Sequence, residues 1–209
     1  MEVLIMKPVQ NPWLSIWRHP RETIRERVEE KNNPWMHVVI VLFGLVLTFE
    51  NASNQGMADK GSFTNALIIS VIIGLISGYI YWYLFSGVFH WTSRWLGGRA
   101  VWEEMRTAVA WASIPYASKL ILVLIQLAVL GEEYLSRTQA TLEQYPLFAL
   151  FLGLTDLALS AWYIYVLSNG IAEVSNFSAW RGLGSVLLGG LLLVLTVVIL
   201  ALLMVAFLG

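Results

Sequence analysis

Cysteine is absent from this 209-residue chain, which excludes disulfides, thiolate metal sites and cysteine nucleophiles. Charge is scarce as well. Charged residues make up 13%, where an ordinary soluble domain carries about 25%. The net charge is only −1, so no overall field points to nucleic acid or to an acidic substrate. Catalytic and metal signatures are missing too: there is no HExxH, Walker A, GxSxG or EF-hand pattern. Residues 1–6 are apolar but too few for the core of a signal peptide, and residues 7–31 are polar. No cleavable signal is therefore expected, and the first membrane helix is expected to stay as an anchor.

What the chain has in abundance is apolar sequence. Hydrophobic residues make up 57%, more surface than a soluble core of this size can hide. A bilayer crossing takes about 20 apolar residues, and five segments meet or approach that length. The first covers residues 34–49, with Asn33 suited to cap it and Pro34 to open it. It is short, so continuation into residues 50–53 or a tilted placement is expected. The second lies within residues 62–93, which contain no Asp, Glu, Lys or Arg and exceed one crossing. The third covers residues 108–130, interrupted by Pro115 and carrying Lys119. The fourth covers residues 146–168 and carries Asp156; the fifth covers 182–209 and is uncharged. The expected fold class is all-α, a polytopic membrane helical bundle of five transmembrane helices. An N-terminal segment, 1–33, precedes the transmembrane domain, 34–209.

Orientation follows from where cations flank the spans. With the N-terminus inside, inner segments hold Lys7, Arg18, Arg21, Arg25, Arg27, Lys31, Arg94, Arg99, Arg106 and Arg181, while outer segments hold Lys60 and Arg137. This division predicts an inside N-terminus and an outside C-terminus. Tryptophan agrees: Trp13, Trp17, Trp35, Trp91, Trp95, Trp102, Trp111 and Trp180 fall at or near the predicted inner face, and only Trp82 and Trp162 lie deeper. An aromatic belt accounts for such residues, because indole is apolar apart from one N–H. Belts usually occupy both interfaces, so the one-sided supply also suggests an inner-face layer that docks something.

Before the first span, Pro20 can open a helix over 21–30, with Ile24 and Val28 on one face and Arg25 placed to pair with Glu29. Together with Trp13, Ile16 and Trp17 this reads as an amphipathic stretch under the membrane, or as a solvated charged helix. The expected contact set for lipid or a partner at the inner face is Trp13, Trp17, Arg18, Arg21, Arg25, Trp95 and Trp102. Further on, Leu96-Gly97-Gly98-Arg99 signals a turn, residues 100–113 an inner-face helix, and Ile114-Pro115 a kink. Small residues four apart, Ser70-Gly74-Gly78, Ala149-Gly153 and Ser185-Gly189, form ridges for close helix contact within the chain.

Two charges inside the spans stand out. Lys119 is 11 residues into the third span and Asp156 is 12 residues from the same end of the fourth. At about 1.5 Å per residue they share a depth near the midplane. An unpaired charge there costs about 2.5–3.5 kcal/mol on insertion scales, so mutual pairing is expected, helped by Thr155 or Gln126. The pair reads as a lock on helix register or as a proton or substrate site. His37, His90, Glu103, Glu104 and Glu173 match no metal-ligand spacing, so no metal and no cofactor are expected.

Three stretches, in order, resemble a known family. They are Asn11-Pro12-Trp13 with Trp17-Arg18-His19-Pro20-Arg21-Glu22-Thr23-Ile24-Arg25, then Leu96-Gly97-Gly98 with Ala112-Ser113-Ile114-Pro115, then Gly170-Ile171 with Trp180-Arg181. Their order and placement resemble the prokaryotic branch of the Yip family, the Ypt-interacting proteins. The resemblance implies five spans and no catalytic residues. Eukaryotic relatives bind Rab-type GTPases, but the Asp-Leu-Tyr-Gly-Pro type motif of that branch is absent here. Some prokaryotic relatives accompany ABC-type exporters. The expectation is a non-enzymatic membrane adaptor or accessory subunit of a prokaryotic plasma membrane, docking a protein partner or organising lipid. The alternative is a small permease using Lys119 and Asp156.

Overall fold

The computed structural model describes residues 11–30 and 33–208. Residues 1–10, 31, 32 and 209, and with them Lys7 and Lys31 of the expected inner-face cations, lie outside the described residues. Every regular element among the described residues is helical. Five helical stretches are long and apolar enough to cross a membrane.

Two short helices come first. α1 (Pro12–Ser15) is capped by Asn11, whose side chain accepts from the Trp13 N–H. α2 (Pro20–Glu29) opens on a proline at its first position, where the missing N–H costs nothing. Thr23 Oγ1 joins the two by bonding Ser15 Oγ at 2.9 Å and donating to the His19 carbonyl at 2.8 Å. This segment is built into the bundle: Ile16 and Ile24 have no exposed surface and belong to the same core as Trp111, Leu167 and Ile171.

α3 (Trp35–Asn54) continues past Phe49 through Glu50, which gives it 20 residues and a length of about 30 Å. Asn33 does not cap it. Its side chain instead donates to the Arg27 carbonyl at 3.4 Å, tying the helix start to α2. α4 (Phe63–Trp95) spans 33 residues and is capped by Ser62. Its ridge of Ser70, Gly74 and Gly78 lies directly against α3. A Cβ on Gly44 would sit 2.3 Å from the Gly74 carbonyl oxygen, and one on Gly78 2.4 Å from that of Ile40. Only hydrogen at these positions lets the two backbones approach so closely.

The third span is broken. α5 (Trp102–Ala112) ends at Ser113, α6 (Ile114–Ala117) carries Pro115 in its first turn, and α7 (Leu120–Leu130) resumes beyond Lys119. Proline lacks the N–H that would continue α5, so the chain re-aims there. Rather than lying at a surface, α5 is central: Met105, Ala108, Val109, Ala110, Trp111 and Ala112 are all buried. A 3₁₀ turn, Gly131–Leu135, and α8 (Ala140–Gln144) lead to α9 (Pro146–Val174) and α10 (Ala179–Leu208). Ser185 and Gly189 of α10 meet α4, where Thr92 Oγ1 and Ser185 Oγ lie 2.7 Å apart and Phe89 fills the space a Cβ on Gly189 would need. The expected ridge at Ala149 and Gly153 packs no helix at Gly153. A Cβ there meets nothing within 4 Å, and both residues line a cleft.

Candidate functional site: a buried lysine between two carboxylates

The breaks in the third span decide where Lys119 sits. It occupies the residue before α7, next to the turn after α6, and is only 3% exposed. Its Nζ lies 2.6 Å from Asp156 Oδ1 of α9 and 2.9 Å from Glu50 Oε1 of α3. The same ammonium stands 4.4 Å from the centre of the Tyr116 ring, a favourable cation–π position. Tyr116 donates its hydroxyl proton to Glu50 Oε2, so both Glu50 oxygens are engaged. Neither Thr155 nor Gln126 completes the group: Thr155 donates to the Phe151 carbonyl within its own helix, and Gln126 lines the cleft nearby.

Three helical segments are thus pinned by one cation. Helical rise along the sequence puts Lys119 and Asp156 at a common depth but does not bring in Glu50, which stands beyond the apolar run and beside Asn51-Ala52-Ser53. The available signal was length. Residues 34–49 alone are too short to cross a bilayer, and the one further turn that completes the crossing brings Glu50 with it.

The cluster forms the floor of a cleft of about 570 Å³. α7 supplies Leu122, Val123 and Gln126 on one wall, and α9 supplies Ala149, Leu152 and Gly153 on the other. Ser53, Asn54, Arg137 and Gln139 stand at the rim. Beside the rim, the Asp59 carboxylate accepts from the Arg137 N–H at 3.0 Å and from Ser136 Oγ. Those two hydrogen bonds hold Asp59 below the usual carboxylate range, the Ser136 bond contributing most.

The expected contact set at the N-terminal face divides in two. Trp13 packs edge-on against Trp111 at 6.2 Å and Trp35 at 6.5 Å, and Trp17 is half-buried against the same core. Arg21 donates to Asn169 Oδ1 and to the Phe177 carbonyl. Arg25 pairs with Glu173, which raises its guanidinium above the ordinary value through a hydrogen bond first and charge second. Glu29, the partner expected from spacing, adds a smaller charge attraction behind this longer-range pair. Arg21 and Arg25 therefore clamp α2 to α9 and the turn after it. Arg18 is exposed, as is Trp95, which stacks edge-on with Trp91 at 4.6 Å. Trp102 is half-buried beneath the Arg106 guanidinium, 5.6 Å from its ring centre. Among the described residues no group of three or more His, Asp or Glu is placed to hold a metal.

Comparison with known proteins adds one match. No curated protein and no solved structure matches the chain. The Yip1 domain family matches residues 14–207, a stretch that runs from α1 to the end of α10 and includes both the clamped N-terminal helices and the Lys119 cluster. The chain therefore belongs to the Yip1 domain family, a family of non-enzymatic multi-pass membrane proteins.

Proposed function

We propose that this chain is a membrane adaptor of a prokaryotic plasma membrane, whose N-terminal face lies on the cytoplasmic side and docks an acidic surface of a protein partner. One observation carries the reading. The N-terminal helices are locked onto the bundle, with Ile16 and Ile24 fully buried and Arg21 and Arg25 bonded across to α9 and the turn after it. The face they complete is therefore preformed, and binding it costs little ordering entropy. Exposed cations surround it: Arg18 from the N-terminal segment, Arg94 and Arg99 after α4, and Arg181 at the start of α10. Exposed Trp91, Trp95 and Trp180 offer the aromatic anchors that recur at protein and lipid interfaces.

Gentle-detergent purification of the full chain from its native membrane, followed by mass spectrometry, tests this. A stoichiometric partner is expected, released by Arg18→Glu combined with Arg99→Glu while thermal stability is unchanged. A partner retained by that variant, or a clean monomer or dimer with no partner, contradicts the reading.

A further inference from the structure

The Lys119 cluster carries a charge imbalance that its role as a clasp does not require. At the cleft floor one ammonium serves two carboxylates, which leaves one negative charge in surplus there, while the Arg137 charge at the rim lies beside Asp59. Glu50 is fully used, by Lys119 on one oxygen and Tyr116 on the other. Asp156 is not. Its Oδ1 faces Lys119, while Oδ2 has no partner among the described residues, and its side chain is 49% exposed toward the cleft. A carboxylate held within a membrane span without a matching cation is costly, so the cleft floor favours a positive ligand.

We propose that this cleft binds the ammonium group of a small organic amine, held at Asp156 beside Lys119. The geometry selects against the other ligand classes. An anion would meet the surplus carboxylate. A divalent metal would need several oxygen ligands, and the space between Glu50 and Asp156 is filled by the lysine ammonium. A cleft of about 570 Å³ falls in the range of about 300–1,000 Å³ typical of small-molecule sites, far more than a bare ion needs. Its walls suit an organic body: Leu122, Val123 and Leu152 are apolar, and Gln126, Ser53 and Gln139 supply hydrogen-bonding groups. Lys119 already models the interaction, an alkylammonium 2.6 Å from the same carboxylate. The remaining titratable groups lining the cleft are Tyr134 and Arg137. Arg137 is exposed at the rim and disfavours a ligand with a second positive charge.

Isothermal titration of the purified full chain with ethanolamine, putrescine and acetate is the test. Saturable binding of ethanolamine is expected, with putrescine weaker and acetate absent. Gly153→Leu fills the cleft at a position where a Cβ meets nothing within 4 Å; it should abolish binding while leaving thermal stability intact or raised. Asp156→Asn keeps the Lys119–Glu50 pair and should weaken binding by at least about tenfold, the loss of roughly one charge-assisted hydrogen bond. Arg137→Gln should bring putrescine up to ethanolamine. Aminophospholipid headgroups carry the same ammonium, so the titration is repeated in nanodiscs with and without phosphatidylethanolamine. Competition by the lipid assigns the site to a headgroup and lack of competition to a soluble amine; either supports the ammonium site. No saturable amine binding, equal binding by acetate, or unaltered binding in stable Gly153→Leu protein overturns it.

Discussion

Lys119 carries one role for which its partners are unequal. Removing the lysine leaves Glu50 and Asp156 facing each other without a counter-ion; breaking a fully buried pair costs about 3–5 kcal/mol, and the half-exposed Asp156 brings the expected cost below that range. Removing Asp156 leaves a neutral Lys119–Glu50 pair with Tyr116 still donating. Lys119→Met is therefore expected to destabilise far more than Asp156→Asn, measured as thermal unfolding in a single detergent; equal effects would show that Glu50 does not share the ammonium. The third member also changes what a charge swap can achieve. Lys119→Asp with Asp156→Lys places the new aspartate beside Glu50, so only partial recovery of stability is expected. Lys119 and Asp156 were legible because a charge in an apolar run is conspicuous and helical rise fixes its depth. Glu50 was not, because a polar residue at the end of such a run looks the same whether the helix stops before it or carries it inside.

At the scale of elements, glycines of similar appearance separate sharply. A side chain on Gly44 runs into the Gly74 backbone oxygen, whereas one on Gly153 enters open space. Gly44→Ala should destabilise by about 1–3 kcal/mol, the usual cost of overpacking. Gly153→Ala should stabilise by about 0.5–1 kcal/mol through helix propensity alone. Similar shifts from the two substitutions would contradict the close α3–α4 contact. In sequence only Gly153 stands in a small-residue ridge, and Gly44 in none; the reverse outcome depends on which helix faces each glycine, a tertiary fact. The amphipathic pattern of α2 was legible, but not its destination. Ile24 is fully buried against the core, with its Cδ1 2.5 Å from where a Cβ on Gly170 would lie. Ile24→Ala should cost about 2–5 kcal/mol, a loss that a surface-lying helix would not show in thermal unfolding. On the opposite face, Asp59 titrates below the usual range, so the stability it lends is present above about pH 4 and is lost as pH falls through its lower folded value. Asp59→Asn should flatten the acid limb of a melting-temperature profile; an unchanged limb would mean that the Ser136 and Arg137 bonds do not form.

Taken as a whole, the molecule has two ends with different characters. One end gathers α1, α2, the buried Trp111 and the exposed Arg18, Arg94, Arg99 and Arg181; the other carries the cleft, with Asp59, Ser136 and Arg137 beside its rim. Five spans were legible from apolar length, since nothing else accounts for so much uncharged sequence. The splitting of the third span into three helices was only partly so, because Pro115 announces a break while the second interruption, at Ser118 and Lys119, has no proline or glycine to mark it. The proposed adaptor role requires the two ends to face opposite sides of one membrane, with the platform inside. The absence of native cysteine makes that directly measurable. Single cysteines at the exposed positions Arg18, Trp180, Lys60 and Arg137 are probed in spheroplasts with a membrane-impermeant thiol reagent, before and after permeabilisation. Labelling at 60 and 137 is expected in intact spheroplasts, and at 18 and 180 only after permeabilisation. Labelling of 18 and 137 from the same side would contradict this placement.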